Sequence, residues 1–366
     1  MPDVIVAGGG VIGLSIAHAV ATEGKSVLVL NSGDATDAAS WAAAGMLAPQ
    51  SEADRRDPLF DLCAASLRMY RGWACQLKEQ SGIDPEYETP GLLYVASSEQ
   101  SLEVLKGRMS WQRTAGFESE LVSPDELRRM EPMLTLPVVG GVHMPGEHHV
   151  TPRLLLEALR RACISRGVEI RNGQRVREVL KAGNRVSGVR VDSDTISAGC
   201  VVVASGVRSK EIQSLCPALP IFPRKGQVLS LNTPASVFRK LIRWEHAYAV
   251  QRRGGELVVG ATNEDAGFDR TLTPSGIGWL LDRIQKLSSH TAAFAIKEMW
   301  TGLRPATPDG LPVLGHAGLS GLIYATGHYR NGVLLAPITA AIVAALVENR
   351  TPPVNLDAYA PGRFAV

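Results

Sequence analysis

A short apolar run that breaks at once into glycines constrains this chain more than any other feature. Val4-Ile-Val-Ala7 leads into Gly8-Gly9-Gly10-Val11-Ile12-Gly13, which sets Gly8, Gly10 and Gly13 in the G-x-G-x-x-G register of a dinucleotide-binding turn. The first glycine permits the tight turn, the second lets a pyrophosphate approach the backbone, and the third lets helix and strand pack closely. The pattern predicts a strand and then a helix from Val11 to Thr22, with its free N–H groups aimed at phosphates. Gly24 ends the helix, and a second buried strand follows over Ser26–Asn31. A lone glycine fingerprint is a weak signal, whereas the same fingerprint inside strand–helix–strand is a specific one. The competing reading is a purely structural turn. At the end of the second strand such sites usually carry Asp or Glu for ribose hydroxyls. Here Asn31 stands there, an uncharged acceptor, with Asp34 close by as another. Asn31 also lacks the positive charge that a 2′-phosphate would need.

Composition narrows the partners. The 366 residues can bury a large core as one large or two interleaved domains. Hydrophobic content of 45% and charged content of 20% are ordinary for a soluble globular protein. A net charge of +2 without a basic run argues against nucleic acid. No apolar run reaches the length of a membrane span, and the N-terminus has neither a basic n-region nor a cleavage site. Five cysteines, an odd number without C-x-x-C spacing, fit free thiols in a reducing cytoplasm. His148-His149 has no carboxylate or cysteine at ligand spacing, so no metal site is indicated.

Along the chain, helices are expected over Pro58–Gln80, Glu99–Thr114, Thr151–Arg166 and Ile277–Ser288, and a short one after the capping box at Ser123. Strands are expected at Leu92–Ala96, Val168–Ile170, a hairpin-like stretch from Arg175 to Ile196, and Cys200–Ala204, which ends in Gly206. Gly226–Leu231, Ala247–Gln251 and Glu256–Ala261 make the region 220–300 rich in β-structure, and Leu322–Ala325 precedes an apolar helix over Asn331–Val347. The small residues from Ser32 to Leu47 suit either a tightly packed loop or a segment lying under a planar ring.

Three segments carry candidate chemistry. Trp300 to Gly310 places Arg304 in a turn rich in Pro and Gly, Gly327 to Gly332 joins a strand to the apolar helix, and His246-Ala-Tyr248 alternates along a strand with both side chains on one face. An arginine fork suits a carboxylate and a tyrosine adds a hydroxyl donor. Taken singly, each also fits a structural role, as a solvated or salt-bridged arginine and a core tyrosine.

Six blocks in order complete the pattern: Gly8–Gly13, Ser40–Leu47, Val201–Gly206, Leu257–Thr262, Gly302–Pro305 with Asp309-Gly310, and Gly327–Pro337. On these blocks the chain, over nearly its whole length, resembles the FAD-dependent amine oxidases of the D-amino acid oxidase type. The closest resemblance is to the bacterial glycine oxidases of thiamine biosynthesis. That family normally has Glu where this chain has Asn31, so a carboxylate there should bind FAD more tightly. The resemblance implies an α/β fold, a Rossmann-like FAD-binding domain (1–80, 151–215, 301–366) interleaved with a β-rich substrate domain (81–150, 216–300). It implies non-covalent FAD, since no cysteine follows Cys216. The implied cofactor contacts beyond the three glycines are Val11, Ile12, Asn31, Ser32, Ala39, Ser40, Ala44, Gly45, Met46, Val176 and Gly206. His328, Tyr329, Arg330, Asn331, Gly332, Val333 and Leu334 would lie by the flavin, where a helix start faces N1 and C2=O. Arg304 and Tyr248 would hold the substrate carboxylate, and the Arg330 carbonyl would accept from its amine. The implied chemistry is hydride transfer from the α-carbon to flavin N5. Imine hydrolysis then gives an oxoacid and ammonia, with oxygen as acceptor and peroxide as product. Glycine or another small amino acid is the implied substrate, and the family resemblance points to a cytoplasmic homotetramer. The rival readings are a sarcosine or D-amino acid dehydrogenase, and a flavin-binding subunit of an amine-oxidising complex.

Overall fold

The computed structural model describes residues 1–33, 38–192, 194–234 and 236–364; Asp34, the second candidate for the ribose, lies outside them. Two sheets carry the architecture. The first has six strands in the order Val313–His316, Leu322–Thr326, Cys200–Val203, Val4–Ala7, Val27–Asn31 and Glu169–Asn172. All its pairings are parallel except that of the first two. Its central strands are unbroken apolar runs because a parallel sheet is covered on both faces. Val4, Val6, Val27 and Val29 face the helices Val11–Thr22, Pro58–Ser81, Pro152–Ser165 and Ala336–Val347. Ile5, Ala7, Leu28 and Leu30 face a three-stranded antiparallel meander, Val176–Ala182, Arg185–Val191 and Asp194–Ser197. That meander occupies the stretch read as a hairpin.

The second sheet has eight strands. In order they are Ala295–Ala306, Phe222–Asn232, Glu256–Gly260, Ala247–Arg252, Leu241–Trp244, Leu92–Ala96, Gly140–Met144 and Glu120–Val122. One face packs Leu229, Leu231 and Val259 against Leu280, Ile284 and Leu287 of the helix Pro274–Leu287. The other, with Val228, Val250, Val258 and Trp300, packs against Ala42, Ala44 and Ala48. The small-residue segment therefore lies between the two sheets, and its alanines let them approach.

Three expectations need correction. Arg304 is not in a turn but in the twelve-residue edge strand Ala295–Ala306. Gly302 and Pro305 disguise that strand. A Cβ at Gly302 would come within 2.6 Å of Ala42 Cβ, and Pro305 sits on an edge strand, where a missing N–H is tolerated. The last helix begins at Ala336, not Asn331, and Pro337 in its first turn marks the start. His246 lies in a two-residue turn with Glu245, and the strand begins at Ala247. Leu241–Trp244 went unforeseen because its turn has no glycine or asparagine; Glu245 itself takes the positive φ of 46°.

Candidate active site

A cavity of about 450 Å³ opens between the sheets. One end is made by the first sheet. Gly8 has a φ of 124°, and a Cβ there would lie 2.3 Å from the Ala204 carbonyl oxygen. Gly13 permits closer contact still: its Cβ would lie 1.9 Å from the Gly8 oxygen. The helix Val11–Thr22 has no side-chain cap and no acid in its first turn. Ser40 Oγ accepts from the Val11 N–H at 3.0 Å. Among the described residues the N–H groups of Ile12 and Gly13 make no backbone hydrogen bond. A helix start among glycines that keeps two N–H groups open is a ready anion site, and this observation fits a dinucleotide pyrophosphate.

Asn31 closes this end. Its Nδ2 donates to the Gly33 carbonyl (2.7 Å) and to Asn172 Oδ1 (3.0 Å). With both amide protons used, Oδ1 has no hydrogen-bond partner among the described residues and can accept, which is what a ribose hydroxyl needs.

The second sheet and the 327–335 segment build the other end. Tyr248 fits because Gly260, its cross-strand neighbour, has no side chain; a Cβ there would lie 2.1 Å from the Tyr248 hydroxyl. Gly226 leaves room in the same way for the Arg304 guanidinium. Arg304 Nη1 donates to the Thr262 carbonyl (3.1 Å) and more weakly to that of Lys225 (3.4 Å). Among the described residues its other nitrogens make no hydrogen bond, so a fork remains for a carboxylate. Burial, and then Arg330, press its pKa below the usual guanidinium value, while Tyr248 offsets them. Burial raises the Tyr248 phenol, which keeps its proton.

Tyr329, at a φ of 47°, anchors its N–H on the Pro305 carbonyl (2.9 Å) and turns the chain so that Arg330 lies over its ring. The carbonyl groups of Val333 and Leu334 accept from Tyr70 Oη (2.8 Å) and Ser66 Oγ (2.6 Å). Both donors lie on the helix Pro58–Ser81. Among the described residues the N–H groups of Gly332, Val333 and Leu334 make no backbone hydrogen bond. His328 bonds Thr339 at 3.1 Å, and burial lowers its pKa to about 3, so it is neutral.

The cavity lining thus brings together Gly8, Gly10, Val11, Ile12, Asn31, Ser32, Ala39, Ser40, Ala44, Gly45, Met46, Val176, Gly206, Tyr248, Arg304 and the run His328–Val333. Gly13 and Leu334 lie behind it: Gly13 packs helix on strand, and Leu334 is buried with its carbonyl on Ser66. Glu52, Arg243, His246 and Asn263 also line the cavity. Of these, Glu52, Arg243 and Asn263 carried no signal in the sequence. Arg243 is directly cross-strand from Tyr248, a neighbour visible only once the Glu245-His246 turn fixes the register. His148 bonds Tyr87 Oη at 2.7 Å, and burial lowers both His148 and His149 to about 4. Among the described residues no cluster of three or more His, Cys, Asp or Glu could hold a metal ion, and no helix is long and apolar enough to cross a membrane.

The cavity thus has a glycine-lined helix start at one end and the Arg304 guanidinium at the other, a lining that suits a dinucleotide beside a small ligand. Residues 3–346 match the FAD dependent oxidoreductases of the DAO type, and the chain belongs to that family. FAD is therefore its cofactor. The bifunctional protein ThiO/ThiG of Synechocystis is 37% identical over 99% of this chain, which spans about half (54%) of that protein's length. A glycine oxidase of Geobacillus kaustophilus is 32% identical over 98% of this chain and 96% of its own. The crystal structure of a glycine oxidase from Geobacillus kaustophilus, 31% identical, superposes with a TM-score of 0.95 over 100% of this chain and 99% of that one. An iminodiacetate oxidase of Chelativorans sp. BNC1 is 26% identical with a TM-score of 0.91, over 98% of both chains.

Proposed function

We propose that the protein oxidises glycine or another small amino acid to the oxoacid, ammonia and hydrogen peroxide. The carrying observation is the free fork of Arg304 beside the Tyr248 hydroxyl, in one cavity with the 328–333 segment. The cofactor is assigned to the lining from Gly8 to Met46, with Val176, Gly206 and His328–Val333. FAD supplies the two-electron acceptor when bound. The six-stranded sheet with its helices is the FAD-binding part, and the eight-stranded sheet is the substrate-binding part.

Arg304 and Tyr248 fix the carboxylate, and the Arg330 carbonyl accepts from the amine, so that the α-carbon is held in one orientation. The N–H groups of Gly332 and Val333 would offer donors to a bound flavin, and the bond of Tyr70 to the Val333 carbonyl holds this segment in place. His328 takes no proton near neutral pH, and an amine that binds neutral needs no base. Family resemblance extends the proposal to non-covalent FAD, oxygen as acceptor, a homotetramer and a cytoplasmic location.

The test is a panel of glycine, sarcosine, D-alanine and D-proline with the purified FAD-loaded chain under air. Steady peroxide release with glycine supports the oxidase. Turnover only with an added dye would make it a dehydrogenase, and no turnover of any of the four would overturn the reading. Acid precipitation should leave the yellow colour in the supernatant; colour in the pellet would mean a covalent flavin.

A further inference from the structure

The cavity contains an ion pair that the proposed chemistry does not use. Arg243 projects from the strand Leu241–Trp244 between Tyr248 on one side and Tyr94 on the other, with its guanidinium 5.4 Å from the Tyr94 ring centre. Its Nη1 donates to Glu52 Oε1 at 2.9 Å. Glu52 is the single acidic side chain among the described residues lining the cavity. It ends the four-residue helix Pro49–Glu52, whose Gln50 and Ser51 N–H groups donate to the buried Glu147 carboxyl at 2.7 and 3.4 Å. Glu147 thus fixes where Glu52 points. Desolvation inside the cavity opposes the Glu52 charge, although 30% of its side chain stays exposed, and Arg243, Arg330 and Arg304 outweigh it and hold its carboxyl below the usual range. Arg304 and Arg330 form no ion pair among the described residues.

The site therefore presents a half-buried fork for a carboxylate at Arg304, the exposed guanidinium of Arg330, and, beside Tyr94, a cation already neutralised from within at Arg243. A ligand with one carboxylate meets Arg304 and is matched. A second carboxylate reaching toward Tyr94 would meet Glu52 before Arg243, and like charges at close range cost affinity. On the reading of the site as an amino acid oxidase, we infer that the Glu52–Arg243 pair is a specificity filter. It admits amino acids with one carboxylate and turns away amines that carry two.

Removing the charge of Glu52 should convert Arg243 from a masked group into a second carboxylate site. The FAD-loaded protein is titrated with acetate and with malonate, following the flavin spectrum, for wild type, Glu52→Gln, Arg243→Met and the double variant. Glu52→Gln should raise the malonate-to-acetate affinity ratio by about ten- to a hundredfold, the scale of one hydrogen-bonded charge pair. The double variant should lose that gain, and Arg243→Met, which leaves Glu52 unpaired, should lower the ratio below wild type. The kcat/KM of iminodiacetate relative to glycine should rise in Glu52→Gln in the same sense. A ratio unchanged in Glu52→Gln, or a gain that survives in the double variant, would overturn the filter while leaving the Arg304 site standing. Acetate that perturbs the flavin in none of the four proteins would overturn the carboxylate site, and the filter with it.

Discussion

The two ends of the cavity are built from different materials. At the cofactor end the chain offers backbone: Gly8, Gly10 and a helix start with open N–H groups, with Ser40 and Asn31 as short polar additions. At the proposed substrate end it offers long charged side chains, Arg304, Arg330, Arg243 and Glu52, that converge from four separate segments of the chain. Backbone recognition depends on the absence of side chains, so it tolerates no added atom. Side-chain recognition depends on single groups, which can be removed without disturbing the fold.

Gly13→Ala should break the first end most severely. The new methyl would overlap the Gly8 carbonyl, forcing apart the strand and helix that form the anion site. Overpacking of this kind costs about 1–3 kcal/mol, and most of the flavin should be lost with it. Melting temperature and the flavin-to-protein absorbance ratio measure both. A variant that kept full flavin would mean that this end is more pliable than the glycine contacts indicate.

Arg304→Ala tests the opposite behaviour. Loss of a hydrogen bond to a charged group costs about 1.5–3 kcal/mol, and each 1.4 kcal/mol is about tenfold. Affinity for a carboxylate inhibitor should fall about ten- to a hundredfold while flavin and melting temperature hold. Arg304→Lys should fall between the two, and Tyr248→Phe, which removes one neutral donor, should cost about three- to tenfold. Joint loss of flavin and stability in Arg304→Ala would assign the arginine to the sheet edge instead of the substrate.

Glu147 stands at the seam between the ends, beneath the helix that carries Glu52. Burial raises its pKa from 4.5 to about 8. Between those values the folded protein holds a proton that the unfolded chain has released, so stability falls as pH rises through the window. Glu147→Gln removes that titration. The melting temperature of the wild type relative to the variant should therefore decline from about pH 5 to about pH 8 and then level off. Parallel profiles would mean that the carboxyl is ionised and that its two backbone donors outweigh its burial.

The same contrast decides what was legible in the sequence. The glycine fingerprint is local, since its three members act within one strand and one helix; the first sheet's apolar runs are equally local. Arg304 and Tyr248 were legible as residue types, but the strand around Arg304 was hidden by Gly302 and Pro305, whose reasons lie in Ala42 and in the sheet edge. Arg243 and Glu52 were not legible at all. Their meeting depends on the Glu245-His246 turn register and on Glu147, ninety-five residues away from Glu52. Side chains that meet by topology leave no spacing to read.

Asn31 is the smallest test, and it bears on both kinds of recognition, because it is a side chain placed at the backbone end. Its amide donates to the Gly33 carbonyl and to Asn172, so its Oδ1, without a partner among the described residues, is oriented before any ribose arrives. Asn31→Ala should weaken FAD binding by about three- to tenfold, the scale of one neutral hydrogen bond. Asn31→Glu supplies a charged acceptor, roughly twice as strong, but gives up both amide donors. Asn172 can turn its own amide to donate to the new carboxylate, whereas the Gly33 carbonyl can only repel it. The gain and the loss nearly offset, so Asn31→Glu should tighten FAD binding by no more than a few-fold. Asn172→Ala, which removes the orienting partner and leaves the acceptor, should weaken binding by less than Asn31→Ala. Titration of the apoprotein of each variant with FAD gives the order. Unchanged affinity in Asn31→Ala would remove Asn31 from the ribose site. Asn172→Ala as damaging as Asn31→Ala would show that the orientation of the amide, more than its presence, sets the affinity.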